Sequence, residues 1–396
     1  MRGNAAFFVS CLLAFTGGHM VNYSVIIYAQ EVLRSDLLAG LGFGLCFSPP
    51  LLLGWYAGVL CDRLRPVYII HFAQGAFIIA AGLLAIGHLT VEQAQDRAAF
   101  VLTAAFFAGV GWSFVAPARM TTLAQISLPA DLKRASLVFN LLVMLGFGLG
   151  PLAISLCRRL SGWPAVFAMA AILFVSGSLL LIGVQTRATH IQHKSVLEEI
   201  SEGLRSVRGN ALVAELLLMA IFCFMLMGPM QVLLPRLATK ELSFSELGRG
   251  AFLGTLAPSL IIGGLLCLFI ISRVPNGKTV FAASLFSGLL FALLSIAAQP
   301  WAAVLLLAAV GILGGVAVSL IVAGLQTHAE ERVRGRVLSM YTIITQVVPA
   351  ASGLAAGVLS HTSGVRQAIL ICGCILAAFA VVNFGWMRTL RAYRGH

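Results

Sequence analysis

Long apolar stretches separated by short loops fill almost the whole of this sequence. Charged residues make up only 10% of its 396 residues, against about 25% in soluble proteins. Twelve stretches approach the roughly 20 apolar residues that a helix needs to cross the hydrocarbon of a bilayer. We name them spans 1 to 12, and they cover residues 5–30, 37–60, 67–89, 98–117, 135–157, 163–185, 211–234, 248–271, 278–298, 301–325, 336–360 and 366–387. Because backbone polar groups inside a bilayer must bond to one another, the pattern predicts an all-α membrane protein with twelve transmembrane helices.

The basic residues are distributed unevenly over the loops. With the N-terminus in the cytoplasm, 18 of the 26 Lys and Arg residues fall on the cytoplasmic side and 8 on the other side. Such a bias predicts that both termini are cytoplasmic. The pair Arg158-Arg159 and the loop from Arg236 to Arg249 are exceptions to it. The net charge of +12 therefore reflects membrane topology and indicates no nucleic-acid partner.

The two halves of the chain resemble each other. Residues that recur 210 positions downstream include the pairs Gly18/Gly228, Met20/Met230, Glu31/Glu241, Gly40/Gly250, Gly44/Gly254, Gly54/Gly264 and Arg63/Arg273. The repeat predicts two pseudo-symmetric six-helix bundles at residues 1–185 and 211–396, the second with a short cytoplasmic tail. A cytoplasmic linker at 186–210 joins them, and Ser195 with Glu198 forms a capping-box pattern that would start an amphipathic helix in it.

Motifs for other functions are missing from the sequence. It contains no Walker loop for ATP and no GxSxG or HExxH motif of a hydrolase. The eight cysteines show no metal-ligand or disulfide spacing. His190 and His193 in the linker have no third ligand nearby in the sequence. We therefore expect no enzymatic activity, no bound metal and no cofactor.

The charged hinge between spans 2 and 3 resembles the signature loop of the major facilitator superfamily of transporters. It runs from Gly58 to Pro66, with Leu64 and Pro66 where the superfamily has a glycine and a second basic residue. Three further stretches are similar to the enterobactin-exporter branch of that superfamily, namely Phe114–Arg119, Leu132–Ser136 and Arg334–Tyr341. The resemblance implies the major facilitator fold, a bacterial inner-membrane location and transport of a small molecule by alternating access.

By the same resemblance, a charged latch closes the cytoplasmic side of the protein. The latch residues are Asp62, Arg63, Arg65, Arg119 at the end of span 4, and Gly335 at the start of span 11. In the second half, the counterpart of Asp62 is Ser272, and the counterpart of Arg119 is Leu320, because the offset between the halves drops to about 201 beyond the loop at 88–97. Both charges are therefore lost together. Because the loss of only one would leave an uncompensated charge, we predict that Asp62 and Arg119 pair. A static topology anchor is the alternative role of Asp62.

Polar residues within the spans are candidates for a substrate cavity. His19 is placed near the middle of span 1, and Asn22 and Tyr23 follow it by one turn. Further cavity candidates are Asn140, Gln231 and Gln346, with interhelical hydrogen bonding as the alternative role. The proton-coupling candidates are His19 and Glu215, the latter expected in the first turn of span 7. The residues Gly146, Gly150 and Pro151 of span 5 resemble the antiporter motif and also suit close helix packing.

The preferred function is export of a siderophore or similar secondary metabolite by a secondary transporter, with protons as the candidate coupling ion. A multidrug efflux transporter would suit the same mostly neutral cavity, and an importer of the same fold is a further alternative. The remote alternative, a non-transporting scaffold or sensor, does not account for the repeat and the latch. We expect a monomer whose partners are the small-molecule substrate and the lipid bilayer.

Overall fold

The computed structural model describes residues 2–128, 130–187, 207, 209–270, 274–330 and 334–394, without the side chains of 2–4, 55, 58, 59, 62, 133 and 270. The predicted linker helix lies outside the described residues, as do His190 and His193. The same holds for Ser272, the predicted counterpart of Asp62.

The described chain is all-α, and its helices correspond to the twelve predicted spans. They run Arg2–Glu31 (span 1), Asp36–Phe47 and Pro49–Arg63 (span 2), Pro66–Thr90 (span 3), Ala94–Ile126 (span 4), Leu132–Leu179 (spans 5 and 6), Ala211–Phe224 and Met227–Arg236 (span 7), Glu246–Gly254 and Leu256–Ile270 (span 8), Asn276–Leu293 (span 9), Pro300–His328 (span 10), Arg334–Ser363 (span 11) and Val365–Trp386 (span 12). A short helix, Arg388–Ala392, follows. Among the described residues, eleven helical segments are long and apolar enough to cross a membrane, and one of them contains both span 5 and span 6.

Glycine and proline determine where the spans bend. Spans 5 and 6 meet at Gly162, which has a φ of +71°, a left-handed conformation that glycine adopts without steric cost. Span 2 is interrupted at Ser48, directly before Pro49, because proline lacks the N–H that would continue the preceding helix. Span 7 is interrupted just before Met227, close to Gly228 and Pro229.

The described residues form two compact units. The first contains spans 1 to 6 together with residues 243–254, and the second contains spans 7 and 9 to 12 together with the rest of span 8. The first part of span 8, which the repeat assigns to the second half, therefore packs within the first unit. The helix is interrupted at Thr255, between the two parts of span 8. The bundle boundaries at residues 185 and 211 stay predictions.

Glycines bring pairs of helices into close contact within each unit. In the first unit, a Cβ on Gly150 of span 5 would lie 2.8 Å from the Cβ of His19 in span 1. In the second unit, a Cβ on Gly228 of span 7 would overlap the backbone of Pro349 and Gly353 in span 11. Small residues allow helix backbones to approach this closely in a membrane. The repeat seen in the sequence thus corresponds to a repeated helix pair, 1 with 5 and 7 with 11.

Candidate functional site

Three polar side chains lie buried on one face of span 1. His19, Asn22 and Tyr23 are 8%, 0% and 2% exposed, and residues three and four positions apart share a helix face. All three lie well inside the helix Arg2–Glu31. Because polar groups inside a membrane are costly, the partners of these side chains decide what the face can do.

Trp112 of span 4 orients the amide of Asn22. The indole Nε1–H donates a hydrogen bond to Asn22 Oδ1 at 3.1 Å. Since the indole nitrogen is only a donor, the amide must turn its oxygen toward it. Asn22 Nδ2 is buried and has no hydrogen-bond partner among the described residues. Asn22 therefore presents a fixed N–H donor to any acceptor that reaches it.

The imidazole of His19 lies between two aromatic rings. Its centroid is 5.1 Å from the ring of Trp112 and 5.0 Å from the ring of Phe147 in span 5. Phe147 also lies 6.1 Å from the ring of Tyr23. The Nδ1 atom of His19 is buried and has no hydrogen-bond partner in the described part of the chain. The rings thus position the imidazole without using this nitrogen.

The two unpaired nitrogens make this face a candidate binding site. A buried donor or acceptor without a partner costs about 1–3 kcal/mol, and a guest group that bonds to it recovers that free energy. Small-molecule sites combine apolar and aromatic walls with a few such polar groups. The half-buried rings of Trp112 and Phe47, stacked with their centroids 6.2 Å apart, supply an apolar wall beside Asn22.

Sequence reasoning identified His19, Asn22 and Tyr23 but missed Trp112. Gly18, directly before His19, is the residue that could have indicated a large neighbouring side chain. A Cβ at this position would lie 2.8 Å from Cζ2 of Trp112. Gly18 therefore leaves the room that the indole occupies. A tryptophan in an apolar span does not by itself reveal its neighbour, and only the packing of span 4 on span 1 brings Trp112 to Asn22.

The other three cavity candidates belong to other spans. Gln231 of span 7 is 3% exposed and Gln346 of span 11 is half-buried. The Oε1 atom of each has no hydrogen-bond partner among the described residues, and both belong to the second unit. Asn140 of span 5 is exposed. Among the described residues, no hydrogen bond or ring contact joins Asn140 to His19.

Arg119 lies deeper in its helix than the sequence predicted. The prediction that it ends span 4 is wrong, because the helix continues to Ile126. The helix passes through Pro117, and no further glycine or proline follows before Pro129 to stop it. The hydroxyl of Thr121 donates to the carbonyl of Pro117 at 3.0 Å, which is compatible with continued helix.

The guanidinium of Arg119 is fully buried against span 1. It donates to Ser10 Oγ at 3.2 and 3.3 Å and to Cys11 Sγ at 3.2 Å. Its Nε has no hydrogen-bond partner among the described residues, and the group lies 5.9 Å from the ring of Phe15. These partners are neutral. A buried cation of this kind requires a counter-charge, and the side chain of Asp62, its predicted partner, lies outside the described residues.

The remaining latch residues lie at helix ends. Arg63 is the last residue of span 2, and Arg65 precedes span 3. Both side chains are exposed, and Arg65 lies 5.8 Å from the ring of Tyr68. Gly335 is the second residue of the span 11 helix and is exposed.

Glu215 does not occupy the first turn of span 7, so that expectation is wrong. The helix begins at Ala211, and its first turn contains no acidic residue. The Asn210 side chain caps it instead by accepting from the N–H of Val213 at 3.2 Å. The carboxylate of Glu215 accepts from the N–H of Leu390, near the start of the short helix Arg388–Ala392. It thus stabilises a different helix N-terminus from the one predicted.

Gly146, Gly150 and Pro151 lie where span 5 packs on its neighbours. A Cβ on Gly146 would lie 2.5 Å from the Cβ of Phe15, and Gly150 lies against His19 as described above. The carbonyl of Pro151 faces Gly250 of span 8, whose added Cβ would lie 2.9 Å from it. These residues therefore position span 5 beside the His19 face.

Replacing Gly150 with alanine is expected to destabilise the protein by about 1–3 kcal/mol, the usual cost of overpacking. The added methyl group would lie 2.8 Å from the Cβ of His19 and 3.2 Å from the backbone nitrogen of Met20. Thermal unfolding of the purified protein in detergent measures the effect. Gly82→Ala is the matched control, because a Cβ at this helical glycine has no neighbour within 4 Å among the described residues. Equal stability of the two variants would contradict the close packing of spans 1 and 5.

Comparisons with known proteins agree with this architecture. The family model of the Major Facilitator Superfamily matches residues 7–351. Among solved structures, the chain is similar to a peptide transporter POT in complex with sulfate, with a TM-score of 0.80, 12% identity and coverage of 100% of this chain and 96% of the other. It is also similar to a bacterial homolog of the human lysosomal transporter Spinster in an inward-facing, unoccupied conformation, with a TM-score of 0.74, 14% identity and coverage of 99% and 98%. A POT family transporter in complex with 5-aminolevulinic acid gives a TM-score of 0.77 at 12% identity, with 98% and 96% coverage. No curated protein sequence matches the chain.

These similarities confirm the predicted fold class. The chain has the major facilitator fold, with twelve transmembrane helices in two pseudo-symmetric six-helix bundles. At identities of 12–14% the solved structures establish the fold alone. The identity of the cargo therefore depends on the residues of this chain itself.

Proposed function

The chain belongs to the Major Facilitator Superfamily and is a multi-pass secondary transporter rather than an enzyme, and we propose that it exports a siderophore or a similar polar secondary metabolite. The proposed location is the inner membrane of a bacterium, with both termini in the cytoplasm. The excess of basic residues on that side supports the orientation. The similarity of Phe114–Arg119 and Arg334–Tyr341 to enterobactin exporters supports the cargo class and the direction.

The observation that carries the proposal is the buried polar face of span 1. His19 Nδ1 and Asn22 Nδ2 are unpaired among the described residues, and aromatic rings surround them. A cargo with hydrogen-bonding groups on an apolar or aromatic frame would satisfy both nitrogens and cover the rings. A purely apolar cargo would leave both nitrogens unpaired, which costs about 1–3 kcal/mol for each buried group. The face therefore favours a polar metabolite over a purely apolar drug.

The proposed cycle is alternating access of the bundles 1–185 and 211–396, with the latch at Asp62 closing the cytoplasmic side. Protons are the proposed coupling ion, and His19 is the stronger candidate to carry one. The carboxylate of Glu215 already accepts a hydrogen bond from the backbone of Leu390, which favours a structural role for it. A monomer is sufficient for this cycle.

A retention experiment tests the proposed function. The siderophore content of cells and of medium is measured in the parent strain, in a deletion strain, and in the deletion strain expressing either the parent protein or Asn22→Ala. The proposal predicts intracellular accumulation after deletion, reversal by the parent protein and little reversal by Asn22→Ala. Unchanged siderophore with increased retention of a cationic dye would support multidrug efflux instead. Loss of uptake from the medium would support an importer.

A further inference from the structure

Two glutamates and two arginines from three spans meet within the first unit. They are Glu31 at the end of span 1, Arg158 in span 5, and Glu246 and Arg249 at the start of span 8. The Arg158 NH1 atom lies 2.6 Å from Glu31 Oε2 and 3.3 Å from Glu246 Oε1. Arg249 pairs with both glutamates through its two terminal nitrogens. Each arginine thus contacts both glutamates, and the charges alternate around a ring with no net charge.

Because this ring is largely buried, its ion pairs are expected to contribute more to stability than an exposed surface pair. Its four side chains are only 14% to 26% exposed. Isolated exposed pairs contribute little, whereas networks with defined geometry contribute more. The guanidinium of Arg158 also lies 4.6 Å from the ring of Trp163, a cation–π contact that restricts its orientation. The ring also explains why Arg158 and Arg249 occur on the predicted non-cytoplasmic side, where the sequence has few basic residues: each of them is paired with glutamates.

Beside the ring, the backbones of spans 5 and 8 touch. A Cβ on Gly250 would lie 2.6 Å from Ser155 Oγ, and a Cβ on Gly254 would lie 3.0 Å from the carbonyl of Gly148. Side chains also pack here, since a Cβ on Gly254 would lie 3.3 Å from Leu152 Cδ1 and both Phe252 and Leu253 are buried. The charged ring adds ion pairs of defined geometry to this close helix contact at the start of span 8.

The second half of the chain provides an internal comparison. Glu241, the repeat counterpart of Glu31, pairs with Arg366 at 2.7 Å. Arg366 also donates to the carbonyls of Ser295 and Ala297 at 2.7 and 3.1 Å. These contacts connect spans 7, 9 and 12, all from the same half. Glu31 instead joins spans 1 and 5 to span 8, which comes from the other half of the repeat.

We propose that Glu31, Arg158, Glu246 and Arg249 form a clasp that holds the start of span 8 on spans 1 and 5, and that the clasp must open during transport. The interruption of span 8 at Thr255 lies between the clasped part and the part that packs in the second unit. The clasp lies at the end of the first unit opposite the hinge at Arg63, because Glu31 directly precedes span 2 and Arg63 ends it. The requirement that it opens rests on the proposed transport cycle.

Thiol labelling tests the clasp directly. Ser155 is 5% exposed beneath Gly250, so Ser155→Cys, in a Cys157→Ala background, reports whether span 8 has moved away. A membrane-impermeant maleimide is applied to the full-length protein in lipid vesicles, and labelling of residue 155 is measured by mass spectrometry. Glu31→Gln should raise the labelling rate at least about fivefold, since it leaves an uncompensated arginine in a partly buried ring. The matched control Glu241→Gln should leave the rate unchanged.

A series of charge-inverted variants distinguishes a four-residue ring from a single ion pair between Glu31 and Arg158. The double variant Glu31→Arg with Arg158→Glu should be labelled at residue 155 faster than the parent. Its new arginine would face Arg249, and its new glutamate would face Glu246. Adding Glu246→Arg and Arg249→Glu restores the alternation and should return the rate toward that of the parent. Parent-like labelling of Glu31→Gln would overturn the clasp, and so would equal labelling of the double and quadruple variants. Labelling needs no cargo, so its outcome is independent of whether the siderophore experiment succeeds.

Discussion

Replacing His19 with leucine is expected to reduce cargo export at least about tenfold while leaving thermal stability unchanged or slightly higher. The two effects differ because Nδ1 of His19 has no hydrogen-bond partner among the described residues, so the folded protein loses no bond at that atom. A leucine would retain apolar contact with the rings of Trp112 and Phe147. A cargo group that bonds to the imidazole would lose that bond, and about 1.4 kcal/mol corresponds to a tenfold change.

Export from cells and the unfolding temperature of the purified protein should be measured on the same variant. Met20→Leu is the matched control, because Met20 is fully buried one position further along span 1 and the exchange conserves apolar volume. Parent-like export by His19→Leu would remove His19 from the cargo site. Measuring export from pH 6 to 8 adds a second test, since histidine commonly titrates in that interval. A pH profile unchanged in His19→Leu would exclude His19 from proton coupling.

Replacing Asp62 with asparagine is expected to reduce transport at least about tenfold without preventing membrane insertion. Arg119 is fully buried, and its described hydrogen bonds go to the neutral groups of Ser10 and Cys11. If Asp62 supplies the counter-charge, its loss leaves a buried cation uncompensated, which costs about 3–5 kcal/mol when both members of a pair are buried. Export and the amount of inserted protein are measured together, so that lost transport is distinguished from lost protein.

An exposed charge outside the latch and an exchange variant control for this prediction. Arg388→Gln removes an exposed charge at the start of the short helix Arg388–Ala392 and should change export less than about twofold, as expected of a surface charge. The exchange Asp62→Arg with Arg119→Asp should recover part of the export lost in Asp62→Asn. An exchange no better than the single variant would show that the two residues do not pair, and parent-like export by Asp62→Asn would exclude the latch.

The number and type of helices could be predicted from the sequence because the bilayer imposes a simple rule. A backbone in hydrocarbon must bond internally, so every long apolar stretch became a helix in the described structure. Helix ends were predicted less well. Span 4 extends to Ile126 rather than 117, because apolarity ends at the membrane surface whereas a helix ends only where the backbone is forced to turn.

The candidate site was predicted in part. His19, Asn22 and Tyr23 stand out because polar side chains are rare in an apolar span. Trp112 does not stand out, since its indole is as compatible with lipid or with a protein core as with a binding site. The carboxylate of Glu215 was assigned to the wrong helix end because its partner, the N–H of Leu390, lies 175 residues away.

The sequence by itself determined the membrane-spanning class, the repeat and the presence of polar groups on span 1. These properties depend on local composition and on spacing along the chain, which need no knowledge of neighbours. Only the tertiary structure decided that Trp112 orients Asn22, that Arg119 is buried against Ser10, and that Glu31 meets Arg158 and the start of span 8. The physical reason is that hydrogen bonds and ion pairs act over about 3–4 Å between helices, and helix packing alone brings such distant residues within that range.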